Sequence, residues 1–172
     1  RVAAVRMFYK YLRMEHPRMQ DPSSALERPS AWQRLPKVLS PAEVDALLAA
    51  PGERFKKLKK KTHHARALYL RDVALLETLY ASGCRAGEVS SMELTGINLD
   101  IGYLRCRGKG SKERIVPVGR KARDAIVAYM ERGRPRLLGT GRESEYLFLS
   151  RSGARLDRTN VWRVVKGYLA AS

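Results

Sequence analysis

Between Ala67 and Ser82 the apolar residues Leu68, Leu70, Val73, Leu75, Leu76, Leu79 and Tyr80 crowd more than one face of a helix. A surface helix carries a single apolar stripe, so this wide distribution predicts a largely buried helix around which other elements must pack. Gly83 follows as its expected C-cap. A shorter helix is expected from Ala86 to Leu94, ending near Gly96. Arg85 then stands at a helix-to-helix junction, with its side chain expected to be fixed by both elements.

The periodicity changes after that junction. Tyr103 to Arg107 and Arg114 to Val118 are runs of β-formers separated by glycines, which predicts a hairpin with Lys109 at its tip. Ile97 to Leu99 supplies a third short strand, so a small antiparallel sheet is expected. Arg120 to Arg132 reads as a helix with Ala122, Ala125, Ile126, Tyr129 and Met130 inward, stopped by Gly133 and Pro135. Tyr146 to Leu149 is a brief apolar run. After a turn at Ser152-Gly153, Asp157 or Thr159 caps a last helix bearing Val161, Val164, Val165, Tyr168 and Leu169.

The N-terminal part has another character. Val2, Val5, Phe8, Tyr9 and Leu12 recur at helical spacing. His16 to Pro36 then collects Pro17, Pro22, Pro29 and Pro36 with several serines, which reads as a linker. The expected organisation is a helix over residues 1–16, a linker over 17–38 and the main domain over 39–172. That domain opens at Ser40-Pro41-Ala42-Glu43, a capping box with proline at the first helical position, and Pro51-Gly52 is expected to stop this helix. Arg54 to Arg66, with Lys56, Lys57, Lys59, Lys60 and Lys61, reads as a solvated loop. Trp32 and Trp162 read as packing anchors.

Charge narrows the partner. Lys and Arg number 34 against 17 Asp and Glu, a net +17 on 172 residues, which points to a polyanion. With 44% hydrophobic residues the chain can still bury a core, so global disorder is excluded. No apolar run is long enough to span a membrane, and Arg1, Arg6 and Lys10 interrupt anything resembling a signal peptide. The expected location is cytoplasmic. Cys84 and Cys106 offer no metal spacing and no disulfide framework, so small buried thiols are expected. No metal ligand set is read from the sequence.

Two segments place a cation beside glycines: Ala81-Ser82-Gly83-Cys84-Arg85-Ala86-Gly87-Glu88-Val89 and Gly108-Lys109-Gly110-Ser111-Lys112-Glu113-Arg114-Ile115-Val116-Pro117-Val118. Glycine lets backbone and cation approach a bulky anion, so both segments suit a phosphate. Taken singly, each has a plainer reading: a surface arginine after a C-cap, a solvated turn lysine, and a Glu88 paired with a helix-surface lysine.

In this order, buried helix, Gly-Cys-Arg-Ala-Gly-Glu-Val, short helix and Gly-Lys-Gly-Ser-Lys-Glu-Arg hairpin, the chain resembles the tyrosine recombinases, or phage integrase family, from about Leu39 onward. The Xer-type and integron-type enzymes are the most similar. The resemblance implies an α+β, mainly α-helical fold: part of a recombinase catalytic core with a small antiparallel sheet. Val2 to Leu12 looks like the last helix of an N-terminal helical, SAM-like core-binding domain. It also implies DNA cleavage through a 3′-phosphotyrosyl intermediate and religation, without cofactor, by homo- or hetero-tetramers on paired duplex sites bound in a basic cleft.

By position, Arg85 matches the arginine that binds a nonbridging oxygen of the scissile phosphate. Lys109 matches the hairpin lysine that protonates the leaving 5′-oxygen, with Lys112 its competitor for that role, and Glu88 matches the acidic residue that steadies the site. Lys56, Lys57, Lys59, Lys60, Lys61, Arg105, Arg107, Lys112 and Arg114 are candidate DNA-backbone contacts. After its last helix the family continues into His-x-x-Arg, a His or Trp, and the nucleophilic Tyr, none of which can be placed here. His63-His64-Ala65-Arg66 spells His-x-x-Arg on the wrong side of Arg85, and Tyr168 lacks the flanking pattern. The chain alone is therefore expected not to cut DNA, as a fragment of a complete recombinase. The alternative is a non-catalytic DNA-binding remnant. A basic RNA-binding protein would explain the charge but not Arg85 with Lys109.

Overall fold

The computed structural model describes residues 2–17, 20–26, 38–108 and 113–170. The chain divides into two compact units, Arg1–Val38 and Leu39–Ser172. In the first, α1 (Val2–Glu15) buries none of its residues. A 3-10 turn over Pro22–Ala25 follows, capped by Asp21, whose carboxylate accepts the Ser23 N–H at 2.9 Å. Arg6 Nη2 donates to the Leu26 carbonyl at 2.6 Å and ties this turn to the helix. Trp32, Pro29 and Pro36 lie outside the described residues.

The second unit opens with α2 (Pro41–Lys56). Ser40 Oγ accepts the Glu43 N–H at 3.3 Å and Glu43 Oε2 accepts the Ser40 N–H at 2.7 Å, a complete capping box. The helix does not stop at Pro51-Gly52. Pro51 lacks an N–H for the preceding turn, yet its ring is buried and the helix continues to Lys56. The expected loop from Arg54 to Arg66 correspondingly shrinks to residues 57–62, because Thr62 Oγ1 accepts the Ala65 N–H at 3.1 Å and starts α3 (His63–Ser82) four residues early.

α3 is the buried helix, with Ala67, Ala74, Leu75 and Leu76 in the core. Gly83 ends it at φ +58°, left-handed backbone that turns the chain sharply into α4 (Ala86–Ser90). α4 is shorter than expected. The Ser91 hydroxyl donates to the Gly87 and Glu88 carbonyls at 3.0 and 3.2 Å, and the Met92 carbonyl accepts the Leu147 N–H instead of continuing the helix. A 3-10 turn at Leu94–Gly96 leads into the sheet.

Strands β1 (Ile97–Asn98), β2 (Tyr103–Arg107) and β3 (Glu113–Pro117) form an antiparallel sheet in the order β1-β2-β3. Leu104 pairs with Val116 and Cys106 with Arg114, and directly opposed residues share a face. Leu104 and Cys106 are buried, so this is the inner face, while Arg105 and Arg107 point outward with Glu113 and Ile115.

The next helix does not end at Gly133. α5 (Arg120–Ala128) widens into a π turn, Tyr129–Gly133, and resumes as α6 (Arg134–Leu138). The widened turn accommodates Pro135, which cannot donate to the preceding turn. Gly133 permits the path: a Cβ there would lie 2.8 Å from Tyr129 Cδ2 and 3.2 Å from the Ala67 carbonyl oxygen of α3. Tyr129 is fully buried and its hydroxyl accepts the Leu149 N–H at 3.1 Å.

Of the two cap candidates for the last helix, Asp157 does the work, accepting the Asn160 N–H at 2.8 Å to begin α7 (Arg158–Leu169). Val161 and Tyr168 face the core, whose remaining members include Phe148, Leu147, Leu149 and Ile126. Trp162 does not anchor it: the ring is 56% exposed, with the Lys166 ammonium 4.8 Å from its centre. Among the described residues no helix is long and apolar enough to cross a membrane.

Candidate nucleic-acid interface

Arg85 occupies the expected junction, immediately before α4. Its guanidinium is not held between the two helices, however: the side chain is 83% exposed and, among the described residues, reaches only Glu88 Oε1, at 3.2 Å. Arginine has no acceptor with which to cap α4. The reciprocal half of a capping box is present instead, with the Arg85 backbone N–H donating to Glu88 Oε2 at 2.8 Å. The backbone is fixed and the charge is left outside.

Glu88 is the buried centre of the cluster, its side chain 7% exposed. Its partner is Arg114 rather than a helix-surface lysine. Arg114 Nη1 donates to Oε1 at 2.9 Å and Nη2 to Oε2 at 2.8 Å, a two-pronged bond from β3 to α4. These bonds, with the Arg85 N–H and against the cost of burial, hold the Glu88 carboxyl down at about 2. The carboxylate in turn raises Arg114 above its ordinary range. Arg114 reaches Glu88 because it lies opposite Cys106, on the inner face of the sheet. Its side chain remains 42% exposed.

The candidate backbone contacts thus separate. Arg105 and Arg107 stand on the outer face, each near Glu113, at 3.9 and 3.3 Å. Arg114 belongs with Arg85 and Glu88. Lys109 and Lys112 lie outside the described residues. Lys57, Lys59, Lys60 and Lys61 are exposed between α2 and α3, and Lys56, at the end of α2, pairs with Glu53 at 2.7 Å. Lys61 Nζ also lies 5.9 Å from the Phe55 ring centre.

His63 and His64 open α3, with His64 lining a groove of about 1120 Å³ beside Phe55, Tyr69 and Arg163. Tyr168 also lines it, but its hydroxyl donates to Asp72 Oδ2 at 2.8 Å, and Asp72 is paired with Arg71 at 2.7 Å. Burial, then the Asp72 charge, pushes this phenol well above its ordinary range. Among the described residues no group of three or more His, Cys, Asp or Glu side chains could hold a metal ion.

One residue at this site escapes sequence reasoning. Arg158 begins α7, which packs on α4, and its Cδ lies 3.8 Å from where a Gly87 Cβ would stand. The exposed side chain makes no hydrogen bond or ion pair among the described residues. Its position after the Asp157 cap carries no signal of this, because only tertiary packing brings it to α4.

Comparison with known proteins agrees with this architecture. The model of the phage integrase family matches residues 37–172. Tyrosine recombinase XerD of Halalkalibacterium halodurans is 38% identical over 165 residues, 96% of this chain and 51% of the relative. Tyrosine recombinase XerD of Vibrio vulnificus is 40% identical over 167 residues, 97% of this chain and 51% of the relative. The chain therefore spans about half the length of the curated relatives it matches. In fold it is similar to the crystal structure of XerA recombinase, at a TM-score of 0.62 and 23% identity over 98% of this chain and 51% of that one. It is likewise similar to a lambda integrase tetramer bound to a Holliday junction, at a TM-score of 0.68 and 15% identity over 99% of this chain and 44% of that one. With the family's match covering most of its length and the helical core and three-stranded sheet in place, the chain belongs to the phage integrase family, the tyrosine recombinases.

Proposed function

We propose that the chain carries the phosphate-binding half of a site-specific recombinase active site, acting on duplex DNA as part of a protein that cleaves and rejoins strands through a 3′-phosphotyrosyl bond. The observation that carries this reading is Glu88, which binds the Arg85 backbone and the Arg114 guanidinium and touches the Arg85 guanidinium through one 3.2 Å bond that leaves it 83% exposed. Arg85 binds a nonbridging oxygen of the scissile phosphate, for which its planar fork is suited. Lys109, which follows β2 in sequence, protonates the leaving 5′-oxygen. Glu88 touches neither atom; it positions the arginines. The exposed lysines between α2 and α3 add affinity without sequence information. The working assembly is a homo- or hetero-tetramer on paired DNA sites, in keeping with the tetrameric complex of the similar lambda integrase.

A second reading is occupancy of DNA without chemistry; in either reading Tyr168, its phenol committed to Asp72, is not the nucleophile. A nicked suicide substrate separates the two. A folded version of the protein carrying the family's His-x-x-Arg and tyrosine traps a covalent DNA adduct, and Arg85→Ala abolishes it. Absence of any adduct from that protein leaves the non-catalytic reading.

A further inference from the structure

Cys84 and Cys106 are both free and both buried, yet their Sγ atoms lie 2.9 Å apart. The first sits in the junction after α3, one residue before Arg85, and the second on the inner face of β2. Twenty-two positions of sequence separate them. Arg114 Nη2 points at Cys84 Sγ at 3.6 Å, so this sulfur pair adjoins the Glu88 cluster. A disulfide needs the sulfurs about 2.05 Å apart, so the two elements have only about 0.9 Å to close.

From this geometry we infer that Cys84 and Cys106 form an oxidation site, a dithiol that hydrogen peroxide converts into an intramolecular disulfide, locking the Arg85 junction to the sheet. Cys84, 6% exposed against 1% for Cys106, is the less buried residue and takes the oxidant. Burial pushes the Cys106 thiol up to about 12, which keeps it protonated and makes its attack the slow second step. The Cys84 sulfur attacks one peroxide oxygen, the O–O bond breaks, and water leaves with the thiol proton. The Cys106 sulfur then attacks the resulting sulfenic acid, the S–S bond forms, the S–O bond breaks, and a second water leaves. Two thiols are oxidised by two electrons and one peroxide is reduced. This chemistry stands whether or not the chain takes part in recombination.

The test uses the folded 172-residue chain treated with peroxide, then unfolded in an alkylating reagent. The expected result is a monomer 2 Da lighter with no alkylated thiol, reverting to two alkylated thiols after reduction. The oxidised form should melt several degrees higher, since the bond closes a long loop, and the amides of Arg85 to Glu88 should exchange more slowly. Cys84→Ser, which retains a small buried side chain, should abolish the 2 Da loss. Two alkylated thiols after peroxide, or disulfide-linked dimers in place of the lighter monomer, overturn the oxidation site. Unchanged exchange over residues 85–88 overturns the lock.

Discussion

Glu88 and Arg114 face each other from α4 and β3 through two parallel bonds of 2.9 and 2.8 Å, so one carboxylate fastens the short helix after Arg85 to the hairpin strand. Replacing it with the neutral isostere Glu88→Gln leaves a guanidinium without its counterion and weakens the Arg85 N–H bond. The expected cost is about 1.5–3 kcal/mol at neutral pH, the range for bonds to charged groups. The sign of the pH dependence follows from the direction of the shift. Glu88 is held near 2 from an ordinary value of 4.5, so its contribution is complete above about 4.5 and is lost as pH falls toward 2. Denaturant midpoints measured from pH 7 to 2 should therefore fall more in the parent than in Glu88→Gln over that window. Parallel curves would show that the carboxylate is not held as described.

Arg85 and Arg114 should part in their phenotypes. Arg85→Ala removes an 83% exposed side chain and should change stability by no more than about 0.5 kcal/mol. DNA affinity should nevertheless fall, with the salt slope shallower by about 0.9 if the guanidinium neutralises one phosphate. Arg114→Ala, which strands the buried Glu88 carboxylate, should destabilise the fold as well. Melting curves and salt titrations on both variants decide the matter, and equal stability losses would contradict this division.

The two faces of the sheet make a separate forecast. Arg105 and Arg107 lie outward near Glu113, whereas the exposed lysines lie between α2 and α3. Converting Lys57, Lys59, Lys60 and Lys61 together to Ala should flatten the salt dependence of duplex binding by about 0.9 per phosphate lost. An unchanged slope would remove the lysines from the interface. Preferential binding of structured RNA at equal salt would point to a different polyanion.

Gly133 answers for the unbroken path from α5 to α6. A methyl group there meets Tyr129 Cδ2 at 2.8 Å and the Ala67 carbonyl at 3.2 Å, and the latter is backbone that cannot swing aside. Gly133→Ala should cost about 1–3 kcal/mol, as overpacking does, even though alanine is the better helix former. A stabilised variant in thermal melts would contradict this contact.

What could be read in advance follows the range of each signal. The Ser40 capping box, the Gly83 cap, the buried α3 and the three strands are written in neighbouring residues and period. Pro51, Gly133 and Pro135 read as stops because local chemistry opposes helix there, but burial of Pro51 and the π turn before Pro135 override it. At the candidate site, Arg85 and Glu88 are one helical turn apart and were legible as a pair. The Glu88–Arg114 bond spans twenty-six residues and depends on strand register, as does the meeting of Cys84 with Cys106. Arg158 against Gly87 requires knowing that α7 packs on α4.

Tyr168 tests whether proximity to a chain end has any bearing on chemistry. Its hydroxyl is bound to Asp72, whose other oxygen is paired with Arg71, and Arg71 Nη1 also donates to the Leu149 carbonyl at 3.2 Å. Tyr168→Phe keeps the ring and removes the proton that Asp72 Oδ2 accepts. The expected result is a loss of about 1.5–3 kcal/mol in denaturant unfolding, because the bond ends on a buried charged acceptor. Duplex DNA affinity at fixed salt should be unchanged, since the phenol faces Asp72 rather than a phosphate. In a recombination-competent version of the protein, the covalent DNA adduct should survive the substitution. Loss of the adduct in a variant that still folds would make Tyr168 the nucleophile and require the Asp72 bond to break during catalysis.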